Sequence, residues 1–318
     1  MSTAFIVRFR PSGPWRFGNA AGARDKTDSI GHSDTLHAAL HWAVKRLGRG
    51  DEFAAAQAAE AGPAVRVSSL YPFGGRTLYI APPKTHWPPE ASARVRWKAA
   101  RLVPLSVVED LLSGKALAED RWEVEPRSGC LVSSGAAAPF RIALRRAAGV
   151  DRAIPGRIEP HRTACLEFGP NAGLWCAVVL ESPEWESTVK SAFRMLADSG
   201  LGGERSIGWG QADAVEFGAF PGNLTPTTPA AGQQTGRHWL WSLYHPAAAD
   251  QVDWTQGHYA ALTRGSHGSK AIQMLEEGSV LSALGTPQGR LVDLGDVETP
   301  QWRSGFAVSV TLPEEVTA

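Results

Sequence analysis

Apolar and basic positions alternate at the start of the chain: Phe5, Val7 and Phe9 fall on one side of an extended segment, with Arg8 and Arg10 on the other. This predicts a short strand with one buried face. Its arginines have two readings, a cationic sheet face that meets phosphate or an edge strand protected by charge. From residue 33 the period becomes helical: Leu36, Ala39, Leu40, Ala43, Val44 and Leu47 recur on one stripe, Ser33 or Asp34 stands at the cap, and Gly48 ends the run. Val65, Val67 and Leu70, then Thr77 to Ala81, predict two strands, broken by Pro72 and Gly74-Gly75 and closed by Pro82-Pro83. Residues 163–168 and 174–180 predict two more, joined by the turn chemistry of Gly169-Pro170-Asn171-Ala172-Gly173. A helix from about Glu184 to Asp198 follows, with Pro183 at its start and Trp185, Val189, Ala192, Phe193 and Leu196 on its stripe. The polar stretch 221–236 reads as a flexible linker or loop, and His238–Tyr244, Ser279–Leu284 and Phe306–Leu312 supply strands for a second sheet.

Strand, helix and paired strands thus appear twice, which predicts an α+β fold of two ferredoxin-like (RRM-like) domains with antiparallel sheets. The expected division is residues 1–155, with basic insertions, and residues 156–318, with a glycine-rich loop at 199–211. The length of 318 residues fits two domains, and 43% hydrophobic residues with 12 Trp suffice for buried cores. Cys130, Cys165 and Cys176 form no Cys-x-x-Cys pair and leave an odd one over, so neither a disulfide framework nor a thiolate zinc site is indicated. Arginines stand where a signal peptide needs its apolar run, and no stretch approaches the roughly 20 apolar residues of a membrane span. A soluble, cytoplasmic protein is expected.

Charge changes the picture. Lys plus Arg and Asp plus Glu both number 32, but residues 1–170 carry a net +8 and the remainder a net −8, a split that suggests an anionic partner for the first half. The long connection 11–32 carries Arg16, Arg24 and Lys26 and ends at His32 and Ser33, where free backbone N–H groups of the helix start make a phosphate seat. His37 and His41 have metal-ligand spacing but lack the intervening glutamate of a zinc protease and any third ligand, so they are read as solvent-facing. Arg94, Arg96, Lys98 and Arg101 around Trp97 can pair phosphate attraction with base stacking, or form a solvated charged face.

The most informative segment is Ser199–Gln211, with five glycines in eleven residues. Glycine permits close approach to a ligand and positive φ, which exposes N–H groups to phosphate oxygens. It is not a P-loop, because Trp209 stands where the lysine belongs, nor a dinucleotide fingerprint, because Arg205 replaces the third glycine. A helix cap running into a tight turn accounts for one or two of these glycines. Trp209 can stack on a base or anchor the loop in the core, and a large aromatic beside two glycines favours the anchor.

Taken together, His32-Ser33-Asp34-Thr35-Leu36, Pro72-Phe73, Pro82-Pro83-Lys84, the basic cluster at 94–101, Val150-Asp151-Arg152, Gly200–Gly210 and Ser242-Leu243-Tyr244-His245-Pro246 follow one another in a familiar order. With Arg264-Gly265, Glu277-Gly278-Ser279-Val280 and Ser304-Gly305-Phe306, they resemble the RAMP-superfamily subunit of type III-A CRISPR effector complexes that holds the 5′ handle of the guide RNA, the Csm4-like family. Glu204 departs from the lysine common in relatives, which lowers the charge of the loop.

The resemblance implies a non-catalytic subunit without cofactor or metal that grips the crRNA handle and contacts the large polymerase-like subunit and the neighbouring backbone subunit. Residues expected at the RNA are Arg8, Arg16, Arg24, His32, Ser33, Lys84, Arg152, Gly200, Gly202, Gly203, Arg205, Ser206 and Gly208. The rival expectation is a metal-independent endoribonuclease of the same superfamily that processes precursor guide RNA, with His32 as general base.

Overall fold

The computed structural model describes residues 3–18, 23–60, 62–89, 95–150, 158–226, 234–265, 270–295 and 301–313. The chain runs from strand β1 (Thr3–Pro11) through helices α1 (Ser33–Arg46) and α2 (Gly50–Gln57) to strands β2 (Val65–Val67), β3 (Tyr71–Gly74), β4 (Thr77–Ile80) and β5 (Val103–Pro104). Helix α3 (Leu105–Leu112) leads into two hairpins, β6 (Trp122–Val124) with β7 (Leu131–Ser133) and β8 (Phe140–Val150) with β9 (Ile158–Phe168). Then come β10 (Ala172–Leu180), helix α4 (Glu186–Ser199) and β11 (Ala212–Gly218).

These elements close one sheet in the order β11-β1-β10-β3-β4-β5, with β2 also paired to β10. The pairing β1–β10 joins Phe9 to Leu174 across about half of the chain, and α1 and α4 lie in contact with each other. Strand β10 is buried along its whole length, which follows from its central place, while the apolar side of β1 (Val7, Phe9) meets Phe193 of α4. The outer order β11-β1-β10-β3, with α1 after β1 and α4 after β10, is that of a β-α-β-β-α-β unit whose two middle strands are separated by residues 75–171.

The expected boundary at 155/156 therefore does not divide the sheets. It lies in 151–157, outside the described residues, and the strand, helix and strand after it complete the first sheet. The remainder supplies β12 (Thr235–Leu240), β13 (Gln251–His258), β14 (Ala261–Arg264), β15 (Ile272–Leu275), β16 (Val280–Leu284), β17 (Leu291–Asp293), β18 (Trp302–Ser304) and β19 (Ser309–Leu312). Its main sheet has the order β13-β16-β12-β19. Among the described residues no α-helix follows α4, only a single 3-10 turn at Arg205–Ile207, so the helices expected for a second ferredoxin-like unit are absent there.

Both sheets share one core. Trp175 meets Trp241 edge to face at 5.9 Å, the Tyr71 hydroxyl donates to the Trp241 carbonyl (2.8 Å), and Trp239 Nε1 donates to the Ala81 carbonyl (3.1 Å). Indoles bury large apolar area while their N–H reaches a backbone acceptor, which is why tryptophans serve at this seam. Trp97 is also buried, packed at a tilt against Trp87 with centroids 5.5 Å apart, so it cannot be the exposed base platform of the basic cluster; Arg94 lies outside the described residues.

Several local expectations change. Pro72 lies inside β3 rather than between strands, and β1 is an interior strand, not an edge. His37 is buried rather than solvent-facing: its Nε2 is 2.7 Å from Gln57 Nε2, and burial, with His41 beside it, lowers its pKa to about 4. Within the stretch read as a linker, the N–H groups of Asn223 and Leu224 donate to the Glu109 carboxylate (2.6 and 3.2 Å), while 227–233 lie outside the described residues.

Candidate nucleic-acid interface

Two structures meet beside α1. The first is the glycine loop. Helix α4 ends at Gly200 (φ 82°), and the chain then turns through Gly202 (φ 92°), Glu204 (φ 61°), Gly208 (φ 84°) and Gly210 (φ 80°). The tight packing is against protein backbone: a Cβ at Gly202 would sit 2.3 Å from the Arg16 carbonyl oxygen, and one at Gly210 2.1 Å from that of Leu201. Four hydrogen bonds sew the loop down: Gly203 N–H to the Arg16 carbonyl, Gly210 N–H to Pro14, Ser12 N–H to Gln211, and Trp15 Nε1 to Gln211, at 2.8 to 3.1 Å. Gly200, Gly202 and Gly210 are thus required by the fold itself, a larger share than a helix cap accounts for. Trp209 is buried, as an anchor must be.

What the loop exposes is the turn Arg205-Ser206-Ile207-Gly208. At Gly208 a Cβ would meet nothing closer than Gln211 at 3.6 Å, and at Gly203 only the flexible Arg16 side chain at 3.2 Å. Arg205 lies over the ring of Trp42 at 4.9 Å and its Nε donates to the Ser199 carbonyl (3.3 Å).

The second structure is the amino end of α1, which is not a phosphate seat. No side chain caps it from His32. The Ser33 N–H donates to Ser69 Oγ (2.9 Å), and the Thr35 N–H donates to the Asp34 carboxylate (2.7 Å) and the His32 carbonyl. Ser33 Oγ accepts from the Leu243 N–H (3.0 Å) and is buried. Asp34 is not a cap either: fully buried, it receives two hydrogen bonds from Arg264 (2.9 and 3.0 Å) and lies 3.4 Å from Arg303. Burial alone would raise its pKa, but the Arg264 guanidinium holds the carboxyl below its ordinary value.

His32 is held between carboxylates, its Nδ1 2.9 Å from Glu277 and its Nε2 3.5 Å from Asp28. Burial disfavours its charge, yet Glu277 and Asp28 more than offset this and raise the pKa to about 10. Glu277 also accepts from the Ser69 hydroxyl. Asp28, Asp34 and Glu277 make this end of the helix a place of paired charge whose carboxylates oppose a phosphate.

Between the two structures runs a cleft of about 340 Å³, lined by Phe17, His32, Thr35, Ala38, Trp42, Gly202, Gly203, Arg205 and Arg264, among others. It brings together Gly202, Gly203, Arg205 and the edge of His32 from the expected set, with Arg16 beside Gly203 and Ser206 and Gly208 on the adjoining turn. The others lie elsewhere or are engaged. Arg8, on β1, is half-buried with its guanidinium 5.8 Å from the Phe73 ring, Lys84 pairs with Glu276 (2.7 Å), Arg24 is exposed on the connection, and Arg152 lies outside the described residues. Part of the charge split closes internally, through Arg10–Glu216, Arg66–Glu181 and Lys84–Glu276.

Sequence reasoning missed Trp42, 37% exposed, and Thr35 and Arg264. A signal for Trp42 was present: it falls off the apolar stripe of α1, on the polar side where a large indole has no core to enter. Among the described residues no group of three His, Cys, Asp or Glu side chains could hold a metal, and no helix is long and apolar enough to cross a membrane.

The whole chain superposes on known structures. A chain of the Csm3-Csm4 subcomplex of the type III-A CRISPR-Cas interference complex matches with a TM-score of 0.68 at 15% identity, covering 97% of this chain and 99% of that one. Chains of the Csm1-Csm4 cassette, solved in complex with cA4 and with AMPPNP, match with TM-scores of 0.62 and 0.59 at 16% and 17% identity, covering 98% of this chain and all of theirs. Csm4 is the subunit common to these. The chain has the Csm4 fold. No protein-family model and no curated protein sequence matches it. The coverage on both sides is nearly full, so the likeness extends over the chain and is not confined to the first sheet.

Proposed function

We propose that this chain is a non-catalytic subunit of a type III-A CRISPR effector complex that grips the 5′ handle of the guide RNA, with a large polymerase-like subunit and a backbone RAMP subunit as neighbours. The observation that carries this reading is the likeness to chains from Csm3-Csm4 and Csm1-Csm4 assemblies over 97 and 98% of this chain and 99 and 100% of theirs. The cleft supports it chemically. Arg16 and Arg205 flank the loop, Thr35 adds a hydroxyl, and Trp42 adds an aromatic face, the mixture that single-stranded RNA requires for phosphate contact and base stacking.

The endoribonuclease reading fits less well, because its nominated base does not suit the role. A general base needs a free lone pair near the reacting hydroxyl. His32 has both ring nitrogens directed at carboxylates and a pKa of about 10, so at neutral pH it carries its proton already.

Purification through this subunit from cells carrying the full set of effector genes tests the proposal. Recovery of a guide RNA with the two neighbouring subunits is expected, and so is intact repeat RNA after incubation with the lone protein in EDTA. Recovery without RNA would refute the handle role, and EDTA-resistant cleavage lost in His32→Ala would establish the nuclease.

A further inference from the structure

The exposed turn carries a single arginine, and that arginine is held. Arg205 is fixed at two points, its guanidinium 4.9 Å above the Trp42 ring and its Nε bonded to the Ser199 carbonyl at 3.3 Å. Trp42 has no other evident task. It projects from the polar side of α1, is 37% exposed, and has a second guanidinium, that of Arg46, 5.7 Å from its ring. Among the described residues the hydrogen bond of the Arg205 guanidinium runs from Nε, which leaves its terminal nitrogens free at the cleft that Gly203 also lines.

We infer that Trp42 is a positioning residue for RNA binding: it holds Arg205 flat across the mouth of the cleft, so that the terminal nitrogens form a ready two-pronged clamp for one phosphodiester. This rests on the reading of the cleft as an RNA site and names the group that the cleft grips. The physical case is preorganisation. A free arginine side chain loses considerable rotamer freedom on binding, whereas one already stacked on an indole and bonded through Nε loses little. The guanidinium edge matches the spacing of two phosphate oxygens, and stacking on Trp42 occupies the face while leaving that edge free. Arg46 lies by the same indole, 5.7 Å from its ring, and adds positive potential.

An aromatic that stacks directly on a base and an aromatic that holds an arginine differ in salt dependence. A lost phosphate contact lowers the slope of log affinity against log salt by about 0.7 on a single strand, whereas a lost base stack lowers affinity and leaves the slope alone. The test uses the full chain, a labelled single-stranded repeat RNA, and Trp42→Ala, Trp42→Phe, Arg205→Ala and the Trp42→Ala/Arg205→Ala pair, each checked for an unchanged melting temperature.

Expected results are a roughly tenfold loss of affinity for Arg205→Ala, the usual scale for a charge-assisted hydrogen bond. Trp42→Ala should show a similar loss, the same drop in salt slope in both, recovery of slope by Trp42→Phe, and a double variant no weaker than Arg205→Ala alone. Additive losses, or a Trp42→Ala variant that binds weakly with the parent's slope, would overturn the inference in favour of base stacking. Binding unchanged in both single variants would overturn it outright. Failure of the parent itself to bind RNA is a different result and refutes the proposed function instead.

Discussion

The amino end of α1 and the turn at Arg205 face each other across one cleft, and both carry what an anion site needs in sequence: a helix start with His, Ser and Thr, and a glycine-rich turn with Arg and Ser. One is closed and the other open. At the helix start the side chains of Asp34, His32 and Ser33 each have protein partners: Asp34 with Arg264, His32 with Glu277 and Asp28, Ser33 with Leu243, while the Ser33 N–H meets Ser69. On the turn, Arg205 and Ser206 stand in solvent. Residue type proposes a contact, and the number of unspent donors decides whether a ligand can make it. The closed cluster has another task. Arg264, Glu277 and Arg303 come from the last third of the chain, so it fastens the second sheet region to α1.

The sharpest way to break this contrast is Asp34→Ala. Leaving Arg264 buried without its carboxylate is expected to cost about 3–5 kcal/mol, read by chemical denaturation, with RNA absent. A loss under about 1 kcal/mol would show the network to be dispensable and reopen the helix start as a ligand site.

The pH dependence of stability should expose the same network. His32 has a folded pKa raised to about 10 from 6.5, so its contribution is fully present below about 6.5 and fades as pH rises towards 10. Thermal melts of the parent across that window should decline with pH, and His32→Asn should decline less. Parallel profiles would mean that His32 is not charged in the folded protein.

Within the loop, Gly202→Ala should destabilise the free protein by about 1–3 kcal/mol, since its Cβ would press on the Arg16 carbonyl in a positive-φ residue. Gly203→Ala meets only a flexible side chain at an ordinary φ and should change stability by less than about 0.5 kcal/mol. Equal losses at the two positions would contradict the division between structural and exposed glycines. Smallest of all, Ser206→Ala on the open turn should leave the melting temperature within experimental error, whereas Ser33→Ala strands the buried Leu243 N–H and should lower it measurably. A reversal of that order would mean that the assignments of open and closed are exchanged.

Much of the local structure was legible because it is a local matter. The stripe of α4 predicted its buried face, and Val189, Ala192, Phe193 and Leu196 are all in the core. The same holds for α1 through Leu36, Leu40, Ala43 and Val44. The glycine loop was legible as a place of unusual backbone, and Trp209 as its anchor. What misled was polarity taken as exposure. His37 is buried because Gln57, twenty residues away, supplies its partner and also bonds the Val65 backbone. Asp34 looked like a cap because Asp at a helix start usually is one; its partner lies 230 residues on.

By itself the sequence determined helices α1 and α4 and several strands, among them β1, β10 and β16, which faces those helices bury, and that a glycine-rich turn carries one arginine, whereas α2 and α3 were not read from it. Period, propensity and backbone sterics act over a few residues and can be read in one chain. Only the tertiary structure decided that β10 lies between β1 and β3, that the first sheet closes with residues 212–218, and that His32, Asp34, Arg264 and Glu277 neutralise one another. Those outcomes depend on pairings between segments 100 to 250 residues apart, whose energies come from burial and from which donor meets which acceptor. No local pattern records that choice, because the same arginine or carboxylate is equally at home in solvent until its partner arrives.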